Sequence, residues 1–427
     1  MRMRIARPLI LNNIVSPFGI SILSTMIFLI AWCFPTHFYS ELVHEPDLMF
    51  LDPTTLLFFL LCVAGFWAGL LLVNFLFPSR PLLETQPKSS PCTGLSLILP
   101  LTVTTVMTVL TCILIIRETP NLLVLLLSQQ GQTAKSQLAE MKLGLLGWGA
   151  AIQTPVLWWT YWRLRISKSE HIERNLRYLK AFYWVIFVIG LFAQVAFSVL
   201  RVSRSDIMPV FAGIAVLYLM SGILRREIKT AGVFRYILLL SMAVILLFVL
   251  FSLLRGTSNV YVGLTGFAGY TIASYNRLAA LLHGTMRYPY GGHGVYLFPF
   301  LNSNHVLNTF LPMKGIFGWP DSFELWHSEF QAPQLAGLND YLIWSSAFGY
   351  IFADVGWATP VLLAAYGVVY GLVWRQAKSG NVLGLTLYPW FAFSALAWFS
   401  GNLVFDATFP FLIVTGLLLI AYERLLT

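Results

Sequence analysis

Ten apolar runs, each long enough to cross about 30 Å of hydrocarbon, constrain this 427-residue chain more than any motif in it. They lie near 18–34, 55–77, 95–116, 143–162, 181–200, 208–224, 235–254, 357–374, 383–400 and 408–423. Backbone N–H and C=O groups find no water inside a bilayer, so each run is predicted to close its own hydrogen bonds as a helix. Composition agrees. Of all residues 58% are hydrophobic and 11% charged, against about 45–50% and about 25% in soluble domains. That balance excludes a soluble enzyme, a disordered chain and a nucleic-acid binder. The expected fold class is an all-α polytopic membrane protein with about ten transmembrane helices, surrounded by membrane lipids. The basic start, Met1 to Arg7, precedes a long apolar run without a small-residue cleavage site, so no removable signal peptide is expected.

Charge orients the spans. With the N-terminus inside and strict alternation, 18 of the 27 Lys and Arg fall inside and 9 outside, while 5 acidic residues fall inside and 13 outside. This is the positive-inside asymmetry. The 163–180 loop carries six of the inside positives and anchors the assignment.

Residues 1–254 read as seven spans with short loops, and 357–427 as three more. Between them, 255–356 begins and ends outside. Its apolar stretches, 259–283 and 341–353, are therefore expected to lie along the interface, to re-enter, or to cross as a pair. The segment holds 20 of the Phe, Tyr and Trp residues and four of the seven histidines. That is too aromatic for disorder and too long for a plain connection. A folded outer-face module is predicted. The 117–142 loop is expected to form an interfacial helix near Leu122 to Leu127 with a polar tail. No loop suits a nucleotide domain, and no phosphate-loop or dinucleotide fingerprint occurs.

Outward-facing arginines go against the orienting bias and are the first candidates for chemistry. Arg201 and Arg204 flank the turn RVSRSD beside Asp206; snorkelling with a local ion pair is the structural alternative. Arg255 follows the seventh span in LLRGTS, with the same alternative. Arg277 lies in the mostly apolar YTIASYNRLAALL, where an arginine costs at least about 2.5–3.5 kcal/mol and needs an anion or a wet cavity. Asn276 is its neighbour, and Tyr270, seven residues earlier, shares its helical face. Arg287 reads as loop surface. The outside acids are Glu324, Glu329, Asp340, Asp354 and Asp406. Asp354 and Asp406 abut spans, where an ionisable group is buried in protein or lines a cavity; each is a candidate base or arginine partner, or half of a structural ion pair.

His283, His293, His305 and His327 lack metal-ligand spacing, so no metal and no cofactor is expected. The four cysteines, Cys33, Cys62, Cys92 and Cys112, have no paired spacing and read as small buried hydrophobes. The clusters YPYGGHGVYLFPF and FGWPDSFELWHSEF read as module core or interface belt, with sugar stacking as the functional alternative.

One resemblance joins these features. Arg-Gly after a span, a YNRLA-type helix, Asn339-Asp340-Tyr341, and then FADVGWATP entering a span resemble the Wzy-type oligosaccharide repeat-unit polymerases of bacterial O-antigen, common-antigen and capsule synthesis. Asn339 and Tyr341 match that family's Asn-x-Tyr. Asp354 and Gly356 match its Asp-(aromatic)-Gly, with Val355 in place of the aromatic. The resemblance covers roughly 250–375. It implies a multi-pass glycosyltransferase of the GT-C-like class in the bacterial inner membrane, with its site facing the periplasm. The substrates implied are undecaprenyl-pyrophosphate-linked oligosaccharides, and the implied partner is a chain-length-regulating co-polymerase. No nucleic-acid partner is implied.

On that reading, Asp354 is the expected base or orienter and Arg277 and Arg255 face the pyrophosphate. Arg201, Arg204, Tyr270, Asn276, Asn339 and Tyr341 are expected to bind substrate. A ligase that moves glycan to lipid A core, and a lipid-linked oligosaccharide flippase, are the competing functions.

Overall fold

The computed structural model describes residues 14–43, 45, 49–77, 95–128, 130–139, 143–166, 174–224, 235, 242, 245–254, 260–303 and 311–426. Every regular element among them is a helix. Helix covers each of the ten apolar runs, wholly or in part. Five helices are long and apolar enough to cross a membrane: Pro53–Leu76, Ser96–Glu118, Ala181–Leu200, Arg204–Ile223 and Ser346–Lys378. A sixth span results if Pro17–Trp32 and Thr36–Val43, bent by 97°, count as one.

Local chemistry sets the helix starts. Ser16 caps Pro17–Trp32 by accepting from the Gly19 N–H at 3.2 Å, and Asp52 caps Pro53–Leu76 by accepting from the Thr55 N–H at 2.9 Å. In both, proline follows the cap, where its missing N–H costs nothing.

The tightest packing joins Pro53–Leu76 to Thr359–Lys378. Gly65 and Gly69 on one helix and Gly367 and Gly371 on the other, spaced by four residues on each side, line the crossing: Gly69 meets Gly367, Gly65 the Pro360 backbone and Gly371 the Val73 side chain. A Cβ on Gly65 would overlap the Pro360 carbonyl, one on Gly69 the Ala364 carbonyl, and one on Gly367 the Phe66 carbonyl. The backbones therefore touch, which is how membrane helices gain dispersion energy without a hydrophobic driving force. Arg163 forks onto Glu423 with Nη2–Oε1 and Nη2–Oε2 distances of 2.5 and 2.8 Å, its Nε donates to Oε1 at 2.9 Å, and Trp159 Nε1 adds a third donor at 2.8 Å. Both charged side chains are largely enclosed.

The 259–283 stretch is one helix, Val260–Leu282, packed against the bent pair and against Ser346–Val355. Ser346–Val355 continues through one 3-10 turn into Thr359–Lys378, making a single apolar passage. The aromatic segment after Val260–Leu282 has its own core of Met286, Tyr288, Tyr296, Trp319, Leu325 and Tyr350. Leu122–Leu127 is a helix as expected, but Leu122 and Leu126 are buried against Phe197, Leu200 and Val202. The tail at Gly131–Ala139 is also helical. Cys62 and Cys112 are buried as expected, whereas Cys33 is exposed because it caps the C-terminal end of a helix. Cys92 lies outside the described residues.

Candidate functional site

The Arg201–Arg204 turn is built against its local preference. Ser203 N–H donates to Ser198 O and Val202 N–H to Val199 O, both at 3.0 Å, closing a Schellman cap on Arg174–Leu200. The residue at the left-handed position of such a cap is usually glycine. Here it is Val202, at φ 51°. A β-branched side chain there costs about 1–3 kcal/mol, offset by complete burial of Val202. The turn sends its two arginines different ways. Arg201 Nη1 donates to Asp206 Oδ2 at 2.9 Å. The Arg204 guanidinium stands 3.9 Å over the Phe248 ring and 5.9 Å from that of Tyr270.

Tyr270 extends this surface. Its ring lies 4.8 Å from that of Trp344, which lies 6.5 Å from Phe399. Its hydroxyl donates to the Tyr341 carbonyl at 3.2 Å. The Tyr341 side chain stands 81% exposed. Beyond Phe399 the chain turns through Asp406, whose Oδ1 accepts from the Thr408 N–H at 2.8 Å. Burial pushes the Asp406 carboxyl up to about 7, and the nearby negative charge of Asp206 adds to the rise. Phe405, next to it, packs with Phe298, Tyr366 and Phe409.

Arg277 and Asn276 lie elsewhere. Arg277 is fully buried, with Nη2 2.6 Å from Glu45 Oε1 and 2.7 Å from the Asn339 carbonyl. Asn276 is equally enclosed; it accepts from the Phe50 N–H and donates to the Tyr39 hydroxyl at 2.9 Å. Asn339 spends its side chain on the Val43 carbonyl and on the Tyr341 N–H. Arg277 and Asn339 therefore serve each other and Glu45, and Asn276 joins them through Tyr39, whose hydroxyl donates to Glu45. The acid that a structural Arg277 requires comes from Glu45, 232 positions away.

Asp354 is likewise committed. Its carboxylate accepts from the N–H groups of Gly294, Tyr296 and Leu297 at 3.1, 2.8 and 2.8 Å, pinning the loop above the module core. Three backbone donors leave this carboxylate about one lone-pair site for a substrate proton. Asp406, held by Thr408 and Phe409 in the same manner, is a second candidate base. Arg255 lies outside the described residues, as does His305.

Of the nine expected site residues, the structure joins Arg204, Tyr270 and Tyr341 in one surface by direct contacts, and Arg201 to Asp206, whose charge reaches Asp406. It places Arg277, Asn276 and Asn339 in a buried brace beneath that surface, and Asp354 in a separate loop anchor. Glu45 and Val202 carry no sequence signal beyond an acid and a valine between apolar runs. Glu329, half-buried in the module, carries a carboxyl that burial pushes up to about 8. No group of three His, Cys, Asp or Glu placed to hold a metal ion occurs among the described residues. Compared with protein-family models, curated proteins and solved structures, the chain matches none.

Proposed function

We propose that the chain is a ten-span glycan polymerase that joins polyprenyl-pyrophosphate-linked oligosaccharide repeat units on the outer face of the bacterial inner membrane. The observation that carries this reading is Arg204 beside the Tyr270 ring, whose hydroxyl holds the backbone of the exposed Tyr341, with the Arg201–Asp206 pair on the same turn and the Asp406 carboxyl within its electrostatic reach. Each has a task in displacement at an anomeric carbon. Asp406, ionised, accepts the proton of the attacking sugar hydroxyl. Arg201 and Arg204 stabilise charge on the departing pyrophosphate, a task that suits arginine because its planar fork grips phosphate oxygens in pairs and stays charged. An Arg–phosphate contact at about 4 Å is worth on the order of 4 kcal/mol at a surface-like effective dielectric. Tyr270, Tyr341 and Trp344 offer flat apolar faces to sugar rings. The donor is already activated, so the reaction draws on neither a nucleotide nor ATP.

Deleting the gene in its own cell and resolving the surface polysaccharide on gels tests the proposal. Collapse of the ladder to a single repeat supports a polymerase. Free polymer beside unmodified lipid A core means a ligase instead, and loss of lipid-linked repeats from the outer leaflet means a flippase.

A further inference from the structure

Glu45, which follows the Thr36–Val43 helix, is 1% exposed and is the anionic centre of the brace. A carboxylate so deep is stable only when fully partnered, and its partners are specific. Oε1 accepts from Arg277 Nη2 and from the Asn339 N–H, both at 2.6 Å, while the Tyr39 hydroxyl donates to Oε2. Arg277 in turn donates to the Asn339 carbonyl at 2.7 Å. The ion pair thus holds both backbone polar groups of one residue, as a neighbouring strand would.

The Asn339 side chain carries the restraint forward. Its Nδ2 donates to Val43 O at 2.8 Å, and its Oδ1 accepts from the Tyr341 N–H at 3.0 Å. With Tyr270 donating to the Tyr341 carbonyl, both backbone polar groups of Tyr341 are tied down. Its side chain alone stands open, at 81% exposure. Among the described residues the ring is left open, yet four residues fix the backbone that carries it.

We propose that Glu45 is a positioning residue of the candidate site: through Arg277 and Asn339 it presents the Tyr341 ring as a stacking platform for a pyranose of the acceptor glycan. The inference rests on the polymerase reading for the identity of that glycan. An aromatic face against the apolar face of a sugar contributes chiefly to binding, so its loss belongs in KM.

The test uses purified full-length protein in lipid and lipid-linked repeat units extracted from the producing cells. Tyr341→Ala is expected to raise KM roughly tenfold and leave kcat within about twofold. Tyr341→Trp restores KM, because a platform needs a flat ring and not a hydroxyl. Glu45→Gln keeps the acceptor but removes the charge. It is expected to raise KM similarly and to add little on top of Tyr341→Ala, the non-additivity of two residues acting as a unit. Hydrogen exchange without substrate is expected to rise across 336–345 in Glu45→Gln and to stay unchanged across 359–378. Should Glu45→Gln fold poorly, Tyr270→Phe removes only the donor to the Tyr341 carbonyl and is expected to raise KM two- to threefold.

Unchanged exchange across 336–345 overturns the brace. Faster exchange with wild-type KM, or Tyr341→Ala behaving as wild type while Tyr341 serves only as a membrane-interface anchor, overturns the platform. Equilibrium binding of the same repeat units reads Tyr341 without turnover. Wild-type protein that binds them through Tyr341 yet never polymerises them sinks the polymerase reading alone, and wild-type protein that does not bind them sinks both.

Discussion

Arg163 and Glu423 meet as a fork on a carboxylate 260 residues apart in sequence, with the Trp159 indole N–H completing the acceptor's shell. The pair clips the Phe409–Leu425 helix to Gly144–Ile166. Removing one partner leaves the other charge enclosed, which costs about 3–5 kcal/mol in buried pairs. Arg163→Ala is expected to fall near the lower figure, since both side chains keep slight exposure. Arg163→Lys, which loses the fork, should fall between it and wild type. Thermal melts of the detergent-purified variants check the order.

The glycine crossing predicts a sharper contrast. A methyl at Gly69 meets the Ala364 carbonyl, so Gly69→Ala must push two backbones apart and is expected to lower Tm by several degrees. A methyl at Gly266, also within a helix, meets nothing within 4 Å. Gly266→Ala is expected to leave Tm unchanged or slightly raised. Equal losses at the two positions would contradict the backbone contact.

Asp406 yields a pH prediction with a defined sign. As a base it works ionised, so polymerisation should rise with pH through about 7 and flatten above it. Stability runs the other way. The folded carboxyl ionises later than the unfolded one, whose ordinary value is 3.8. The folded state therefore holds the extra proton between those values, and stability falls as pH rises from about 4 to about 7. Asp406→Asn should abolish turnover, leave Tm at pH 4 unchanged and raise Tm at pH 8. An unchanged rate profile in Asp406→Asn would remove it as the base.

Arg204 distinguishes charge from geometry. Arg204→Ala is expected to lower kcat/KM on the order of 100-fold, comparable to losing one preorganised donor to transition-state charge. Arg204→Lys keeps charge but loses both the stack on Phe248 and the fork, and should recover only a small part. Full activity in the Lys variant would assign Arg204 to snorkelling.

Orientation has its own check. Cysteines introduced at Ser169 and Ser303 in a Cys-less background should differ toward an impermeant thiol reagent in outer-membrane-permeabilised cells. Position 303 should react and position 169 should not; the reverse would invert the topology.

What the sequence makes legible follows the range of the physics involved. Apolar length is local and additive, so the helices read directly. Helical period is local too, and it correctly put Tyr270 and Arg277 on one face: both reach the 339–341 segment. The partner of Arg277 is a different matter. It lies in a separate turn, and nothing in HEPDL distinguishes Glu45 from a solvated acid until the bend of 97° after Trp32 brings it inward. Asp354 stood at a span boundary in a suggestive motif, yet the backbone amides of 294–297 that occupy it have no residue signature at all. The commitment of Val202 to a left-handed turn is invisible for the same reason.

The Gly65–Gly69 and Gly367–Gly371 contact also has a consequence in time. Its two halves are about 300 residues apart in synthesis order, and at about 5–20 residues per second the first waits roughly 15–60 s for the second to leave the ribosome. During that interval a glycine-lined face lies against lipid tails with its carbonyls thinly covered. Insertion machinery or a transient neighbour that shields this face would raise the yield of the mature chain. A fragment ending before Thr359 keeps the face open for good, and pairing of such fragments with one another is the misassembly to expect.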